Sequence, residues 1–154
     1  MPTIRSATLA DLDRLTTLIK MLFAIEKDFA FDPGRQRRGL ATLLANEWST
    51  ILVAEAAGQV VGMCTGQLTI STAEGGPALL VEDVIVDPAH RGCGLGTRLL
   101  EEMAEWAADH GAHRLQLLAD RNNQAGLTFY KKLGWQRTDL ICLRLRAEKK
   151  NQAR

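Results

Sequence analysis

The stretch Val84-Ile85-Val86-Asp87-Pro88-Ala89-His90-Arg91-Gly92-Cys93-Gly94-Leu95-Gly96-Thr97 constrains this chain more than any other part of it. The apolar residues suit a strand, Asp-Pro marks a turn, and glycines at alternate positions make a loop nearly free of side chains. An amphipathic pattern then begins, with Leu95, Leu99, Met103 and Trp106 on one stripe and Arg98, Glu101, Glu102 and Glu105 opposite. A strand that turns through a glycine loop into a helix aims several main-chain N–H groups, and the positive end of the helix, at one place. Phosphate oxygens fit such a place. The segment therefore predicts a phosphate cradle over residues 91–97 and a helix packed by one face on a sheet.

The sequence around the loop limits the phosphate ligand. A dinucleotide fold puts its GxGxxG loop near its first strand, with an acidic residue ~20 positions later. Here the loop follows several expected strands and its glycines fall at 92, 94 and 96. No Gly-Lys-Ser/Thr follows, which excludes a P-loop. A plain tight turn into a helix remains the bland alternative.

The rest of the chain alternates. Residues 3–7 suit a short strand, and Leu12, Leu15, Ile19 and Leu22 follow at helical spacing, with Thr8 or Asp11 as cap. Phe29, Phe31, Asp32, Pro33 and Gly34 interrupt, and residues 37–47 read as a second helix. Residues 50–55 and 59–71 form a hairpin across Ala56-Ala57-Gly58, and another strand covers 79–86. Gly111 suits the end of the helix behind the loop, 114–118 a strand, and Asn122 or Asn123 the cap of a short helix ending at Leu133-Gly134. Residues 135–144 predict two more short strands or one bent hairpin, and 148–154 a charged tail.

A length of 154 residues suits one domain, over 1–147, with 148–154 as its tail. The net charge of +1 gives no electrostatic case for a nucleic-acid partner. No apolar run approaches the ~20 residues of a membrane span and the N-terminus has no signal-peptide core, which predicts a cytoplasmic protein without a membrane partner. Cys64, Cys93 and Cys142 are odd in number and widely spaced, and His90, His110 and His113 have no ligand spacing. Neither a disulfide framework nor a metal site is expected.

Residues 84–97 resemble the acetyl-CoA signature of the GNAT N-acetyltransferase superfamily, through Val-x-Pro, Arg-Gly-x-Gly-x-Gly and the amphipathic helix behind them. The segment from Asn123 to Trp135 resembles that family's second motif, in which an Asn leads a helix ending in Tyr, then Gly and an aromatic. The resemblance covers nearly the whole chain. It implies an α/β (α+β) fold with a central mixed, mostly antiparallel sheet of six to seven strands flanked by about four helices.

It also implies roles. Acetyl-CoA would be the co-substrate, its pantetheine arm pairing with the main chain of Val84, Ile85 and Val86, and its pyrophosphate held by the N–H groups of Gly92, Cys93, Gly94, Leu95, Gly96 and Thr97. Arg91 would add charge there, or be a solvated surface arginine. Asn123 resembles a cofactor-contacting residue, although an N-cap explains it as well. Tyr130 resembles the general acid that protonates the departing thiolate, a role its ordinary pKa near 10 suits.

For the base, Glu82 is favoured over Asp83. Strand alternation puts the two on opposite faces, and the resemblance favours Glu82, beside apolar Val81 and Val84, because members of the family often place a glutamate in this part of the strand. An exposed strand carboxylate is the bland alternative, and water a third possibility. The glutamate that relatives often carry before the Asn motif is missing, since Gln116-Leu117-Leu118 stands there. Glu26 and Phe29, with Asp83, are the candidate contacts for a cationic acceptor. The family often dimerises through its late strands, for which Ile141, Cys142, Leu143 and Leu145 would supply an apolar edge, although a buried strand explains them equally well.

The expected activity is acetyl transfer to a primary amine of a small molecule or peptide, by direct attack through a tetrahedral intermediate. A non-catalytic acyl-CoA-binding or sensing module is the alternative from another class.

Overall fold

The structure is a computed structural model that describes residues 1–148. Its elements run β1 (Thr3–Ser6), α1 (Leu12–Ile25), α2 (Pro33–Ala45), β2 (Ser49–Ala56), β3 (Gln59–Ser71), β4 (Gly76–Val86), α3 (Leu95–Asp109), β5 (Leu115–Leu117) and α4 (Gln124–Lys132). The strands form one sheet in the order β1-β2-β3-β4-β5. All neighbours are antiparallel except β4 and β5, which are parallel. This is the expected mixed, mostly antiparallel sheet with four flanking helices.

Both faces of the sheet are covered, and β2 records it: Ile51 and Val53 face α1 and α2, while Leu52 and Ala54 face α3. On one side Leu15, Leu18 and Ile19 of α1 pack with Leu40 of α2 and with Met63 and Ile85 of the sheet. On the other, Leu95, Leu99, Leu100 and Met103 of α3 pack on Val61, Cys64, Leu79 and Val81. Each fully buried Leu, Ile or Met contributes about 1.5–3 kcal/mol of transfer free energy. The two-sided burial explains why β2 reads as a continuous apolar run rather than an alternating one.

Helix starts follow capping chemistry. Thr8 and Asp11 form a reciprocal capping box ahead of α1, closed by Thr8 N–H donating to Asp11 (2.8 Å), and Arg5 holds the same carboxylate (2.8 Å). The second helix begins at Pro33, not at residue 37. Asp32 accepts from the Arg35 N–H (3.2 Å) as its N-cap and Pro33 occupies the first turn, so the residues that read as a break are its start signal.

The sheet has five strands among the described residues, not six or seven. Residues 135–144, expected as further strands, carry no regular structure, and Leu140, Ile141, Leu143 and Leu145 are 75–90% exposed. Arg144 donates to Asp28 (2.8 Å) and lies over the Phe29 ring (4.9 Å), tying this segment to the α1–α2 connection. Of the expected tail, 148–154, all but Glu148 lies outside the described residues. No helix among the described residues is long and apolar enough to cross a membrane.

Candidate acetyl-CoA and acceptor site

The sheet opens at its β4–β5 junction. The parallel pairing covers only Leu79↔Leu115, Leu80↔Gln116 and Val81↔Leu117. Beyond it β4 continues to Val86, bonded to β3 on one side through Met63↔Ile85 and Gly62↔Val86 and without a strand partner on the other among the described residues. An extended ligand with amide groups can use such an unpaired edge by strand-like hydrogen bonding. Val84, Ile85 and Val86 lie on it. Ile85 is buried against α1, so its side chain is a core residue whatever its main chain binds.

The edge leads into the glycine loop. Asp87 accepts from the Ala89 N–H (3.0 Å) and from Arg14 (2.7 Å), while Arg14 also donates to the Val60 carbonyl (2.7 Å). These bonds hold Asp87 below the usual carboxylate range, the Ala89 N–H first and Arg14 second. The turn is thereby tied to α1 and β3. Gly92 (φ 80°) and Gly94 (φ 84°) take left-handed conformations that a side chain would strain, and nothing stands within 4 Å of where their Cβ atoms would be.

Gly94 is the N-cap of α3 and supplies no side-chain acceptor, so the first N–H groups of the helix are open to a ligand. Arg91, Gly92, Cys93 and Gly94 are exposed, Gly96 and Thr97 are half-buried, and Leu95 has its side chain in the core. Arg91 donates to the Val86 carbonyl (2.9 Å), and the Cys93 thiol to the His90 carbonyl (2.8 Å). An exposed, uncapped helix start beside a free strand edge fits a ligand that carries both phosphates and amides.

Gly96 has a different reason. A Cβ there would stand 3.1 Å from Cζ of Phe129, so the missing side chain lets α4 approach the start of α3. Asn123 caps α4 by accepting from the Gly126 N–H (3.0 Å). The next residue after Phe129 is Tyr130, half-buried, with Trp135 edge-on to its ring at 5.9 Å. Burial, and then the negative charge of Glu26, push its phenol up to about 12.

The carboxylates are arranged by an irregularity in β4. Thr65 pairs with Glu82 and Met63 with Ile85, so Cys64 alone opposes Asp83 and Val84. The extra residue is a bulge, and Asp83 takes φ 53° within it. The bulge breaks the alternation assumed for Glu82 and Asp83. Glu82 is exposed. Asp83 is half-buried, accepts from the Thr65 hydroxyl (3.3 Å) and lines a cleft of about 460 Å³ with Ile19, Phe23, Leu40, Gln36 and Gln67. Burial, then the charge of Glu82, push Asp83 up to about 6 against the opposing Thr65 hydrogen bond.

Glu26 is half-buried at the end of α1, and its pKa is raised by burial first and then by Asp120, Asp28 and Glu82. These acids and Tyr130 lie within electrostatic reach of one another, so the structure gathers Tyr130, Glu82, Asp83 and Glu26 into one region. Phe29 is 40% exposed and packs against Phe23 (5.7 Å), which lines the same cleft as Asp83, and beneath Arg144. Its cationic partner is the protein's own. Thr65 was not foreseen: a fully buried polar side chain inside an apolar strand is its only signal, and its use depends on the β3–β4 register.

Residues 45–135 match the model of the acetyltransferase (GNAT) family. The chain is 28% identical over 141 residues to an uncharacterised N-acetyltransferase of Methanocaldococcus jannaschii, covering 90% of this chain and 62% of that one. It is 30% identical over 103 residues to the glucosamine 6-phosphate N-acetyltransferase of Trypanosoma brucei brucei, covering 66% and 63%. The chain thus spans a little over three fifths of the length of these curated relatives. In fold it is similar to a predicted acetyltransferase of Clostridium acetobutylicum crystallised with acetyl-CoA, with TM-score 0.80, 24% identity, and 95% and 96% of the two chains covered. With a family match over more than half its length, spanning the glycine loop, the β4–β5 junction and the segment from Asn123 to Trp135, the chain belongs to the GNAT acetyltransferase family.

Proposed function

We propose that the protein is an acetyl-CoA-dependent N-acetyltransferase whose acceptor is a small cationic amine. The observation that carries the reading is the continuity of three features: the free edge of residues 82–86, the exposed uncapped start of α3, and Asp83 at the bulge between them and the α1–α2 cleft. The residues fit the co-substrate. Main-chain groups on the Val84–Ile85–Val86 edge would pair with the amides of its arm, and N–H groups of residues 92–97 would receive its pyrophosphate. When bound, acetyl-CoA supplies an activated acetyl thioester.

The remaining steps belong to the chain. An ammonium acceptor is drawn in by Glu26, Glu82 and Asp120 and must lose a proton before it can attack. Asp83 is placed to take that proton, directly or through one water, and its pKa of about 6 keeps it ionised at neutral pH while leaving it more basic than an ordinary Asp. This moves the base role from the exposed Glu82 to its neighbour. Tyr130, protonated at any physiological pH, donates to the thiolate that leaves. Acceptors named for relatives, glucosamine 6-phosphate among them, are small amines. The free thiols Cys64, Cys93 and Cys142 suit a reducing compartment such as the cytoplasm.

The test is thiol release from acetyl-CoA over a panel of amino sugars, diamines and lysine analogues, with CoA binding followed by thermal shift. Turnover on at least one cationic amine, lost in Tyr130→Phe with CoA binding kept, supports the reading. Tight CoA binding without turnover on any amine replaces it with a sensing module.

A further inference from the structure

The cleft at Asp83 has a wall that proton removal from an amine does not use. Arg35, Gly39 and Thr42 follow one another at four- and three-residue steps, so they form one line along α2, and all three border the cleft. Ile19, Phe23 and Leu40 supply its apolar lining, and Asp83 stands across from α2 on the sheet.

The start of this wall offers donors. Asp32 gives its Oδ1 to the main-chain N–H of Arg35 (3.2 Å), and Gln36, also at the cleft, gives its Oε1 to the Asp32 N–H (2.6 Å). With its oxygen taken up by the backbone, the Gln36 amide has its –NH2 group left for a ligand. The Arg35 side chain is exposed and has no ion-pair partner among the described residues, whereas Arg37 on the same helix is paired with Asp13. A guanidinium beside an amide –NH2 suits anionic oxygens. A diamine would set its second ammonium against that guanidinium.

Gly39 lies one turn further along the same line. Glycine inside a helix is destabilising relative to alanine, and nothing stands within 4 Å of where its Cβ would be, so packing within the chain does not require it. The missing side chain keeps the wall low between Arg35 and Thr42.

We infer, on the reading that places the amine at Asp83, that the acceptor also carries an anionic oxygen group, a carboxylate or a phosphate. Its ammonium goes to Asp83, its body lies against Gly39 and the apolar lining, and its anion is held by Arg35 and Gln36. Arg35 and Gly39 are thereby the residues that select the acceptor.

The experiment compares matched acceptors on the full chain with saturating acetyl-CoA: straight-chain amines against the ω-amino carboxylates and ω-aminoalkyl phosphates of equal length, and amino sugars against their phosphates. The parent should favour the anionic member of a pair by about tenfold in kcat/KM. Arg35→Gln should lose that preference and Arg35→Lys keep part of it, and a ratio taken within one sample is unaffected by any loss of folded protein. The carboxylate and phosphate arms tell which anion the wall takes. Gly39→Leu should melt no lower than the parent, since leucine favours the helix and the space is open, yet raise KM for the best acceptor several-fold with KM for acetyl-CoA unchanged.

Calorimetry of the same pairs with the chain saturated with CoA separates the anion site from the acetylation chemistry. Anion-selective binding that depends on Arg35, without turnover, overturns the acetyltransferase reading and supports the site. Binding that ignores the anion, equal turnover of both members of every pair, or a preference that survives Arg35→Gln overturns the site, whether or not any amine is acetylated.

Discussion

The Thr65 hydroxyl donates to the Asp83 carboxylate at 3.3 Å across the bulge where one residue of β3 opposes two of β4. This contact puts an acid at the mouth of the α1–α2 cleft while its neighbour Glu82 turns to solvent. Thr65→Val removes the donor that favours the charged form, so the acidic limb of the rate profile moves upward by up to about one pH unit. A pH–rate series on the variant checks it, and an unmoved limb means that the contact does not tune the base.

Asp83 also links function to stability. Its carboxyl ionises near 4 in the unfolded chain and near 6 when folded, so the folded chain holds the extra proton between those values. The stabilisation is complete below about pH 4 and lost as the pH rises through about 6, so ionised Asp83 weakens the fold at neutral pH by on the order of 2–3 kcal/mol. Asp83→Asn keeps the shape, and Asn tolerates the left-handed φ. The variant should melt higher than the parent at pH 8 and alike at pH 4. Equal melting temperatures at pH 8 would show that the carboxyl is not strained by burial.

Tyr130→Phe retains the ring that packs against Phe129 and Trp135 but has no proton to give. Its kcat should fall by about 10²–10⁴ with CoA affinity unchanged. Because the parent phenol titrates near 12, the activity should show no alkaline limb from this group below about pH 11. Separate kcat and KM measurements decide it.

At Gly96 the expected effect is mechanical. The added methyl of Gly96→Ala meets Cζ of Phe129 at 3.1 Å, so the ring must give by a few tenths of an ångström, pressing on α4 at a cost of about 1–3 kcal/mol. Tyr130 moves with α4, and kcat should fall as well as stability. Denaturant unfolding and kcat on the same sample test the pairing of the two losses.

Arg14→Ala cuts two 2.7 Å bonds, to Val60 and to Asp87, that tie the turn before the glycine loop to the body of the protein. The loop's N–H groups lose their fixed aim, so KM for acetyl-CoA should rise several-fold while kcat changes little. Steady-state kinetics at varied acetyl-CoA measures this.

What the sequence discloses here divides along local and non-local lines. The glycine turn into α3, the stripe of α3 and the hairpin at Ala57-Gly58 are short-range patterns that read from neighbours within a few positions, and the caps narrow to Thr8 or Asp11 and to Asn122 or Asn123, of which Asn123 caps α4. The Asp83 bulge arises from how β3 and β4 register over many residues, so no short-range pattern announces it. The start of α2 is missed because Asp32-Pro33-Gly34 has the composition of a turn as well as of a helix start. Residues 140–145 have the composition of a strand, but a strand needs a partner, and among the described residues this segment pairs with none.

The central claim, that Asp83 is the base for a cationic amine acceptor, is tested most directly by the pH dependence of thiol release from acetyl-CoA in the parent and in Asp83→Asn, with the best amine of the panel. The account predicts that the parent rate rises through a pKa of about 6 and that the variant loses most of its rate at pH 7 together with that limb. An Asp83→Asn enzyme with the parent's rate and the same acidic limb would contradict it.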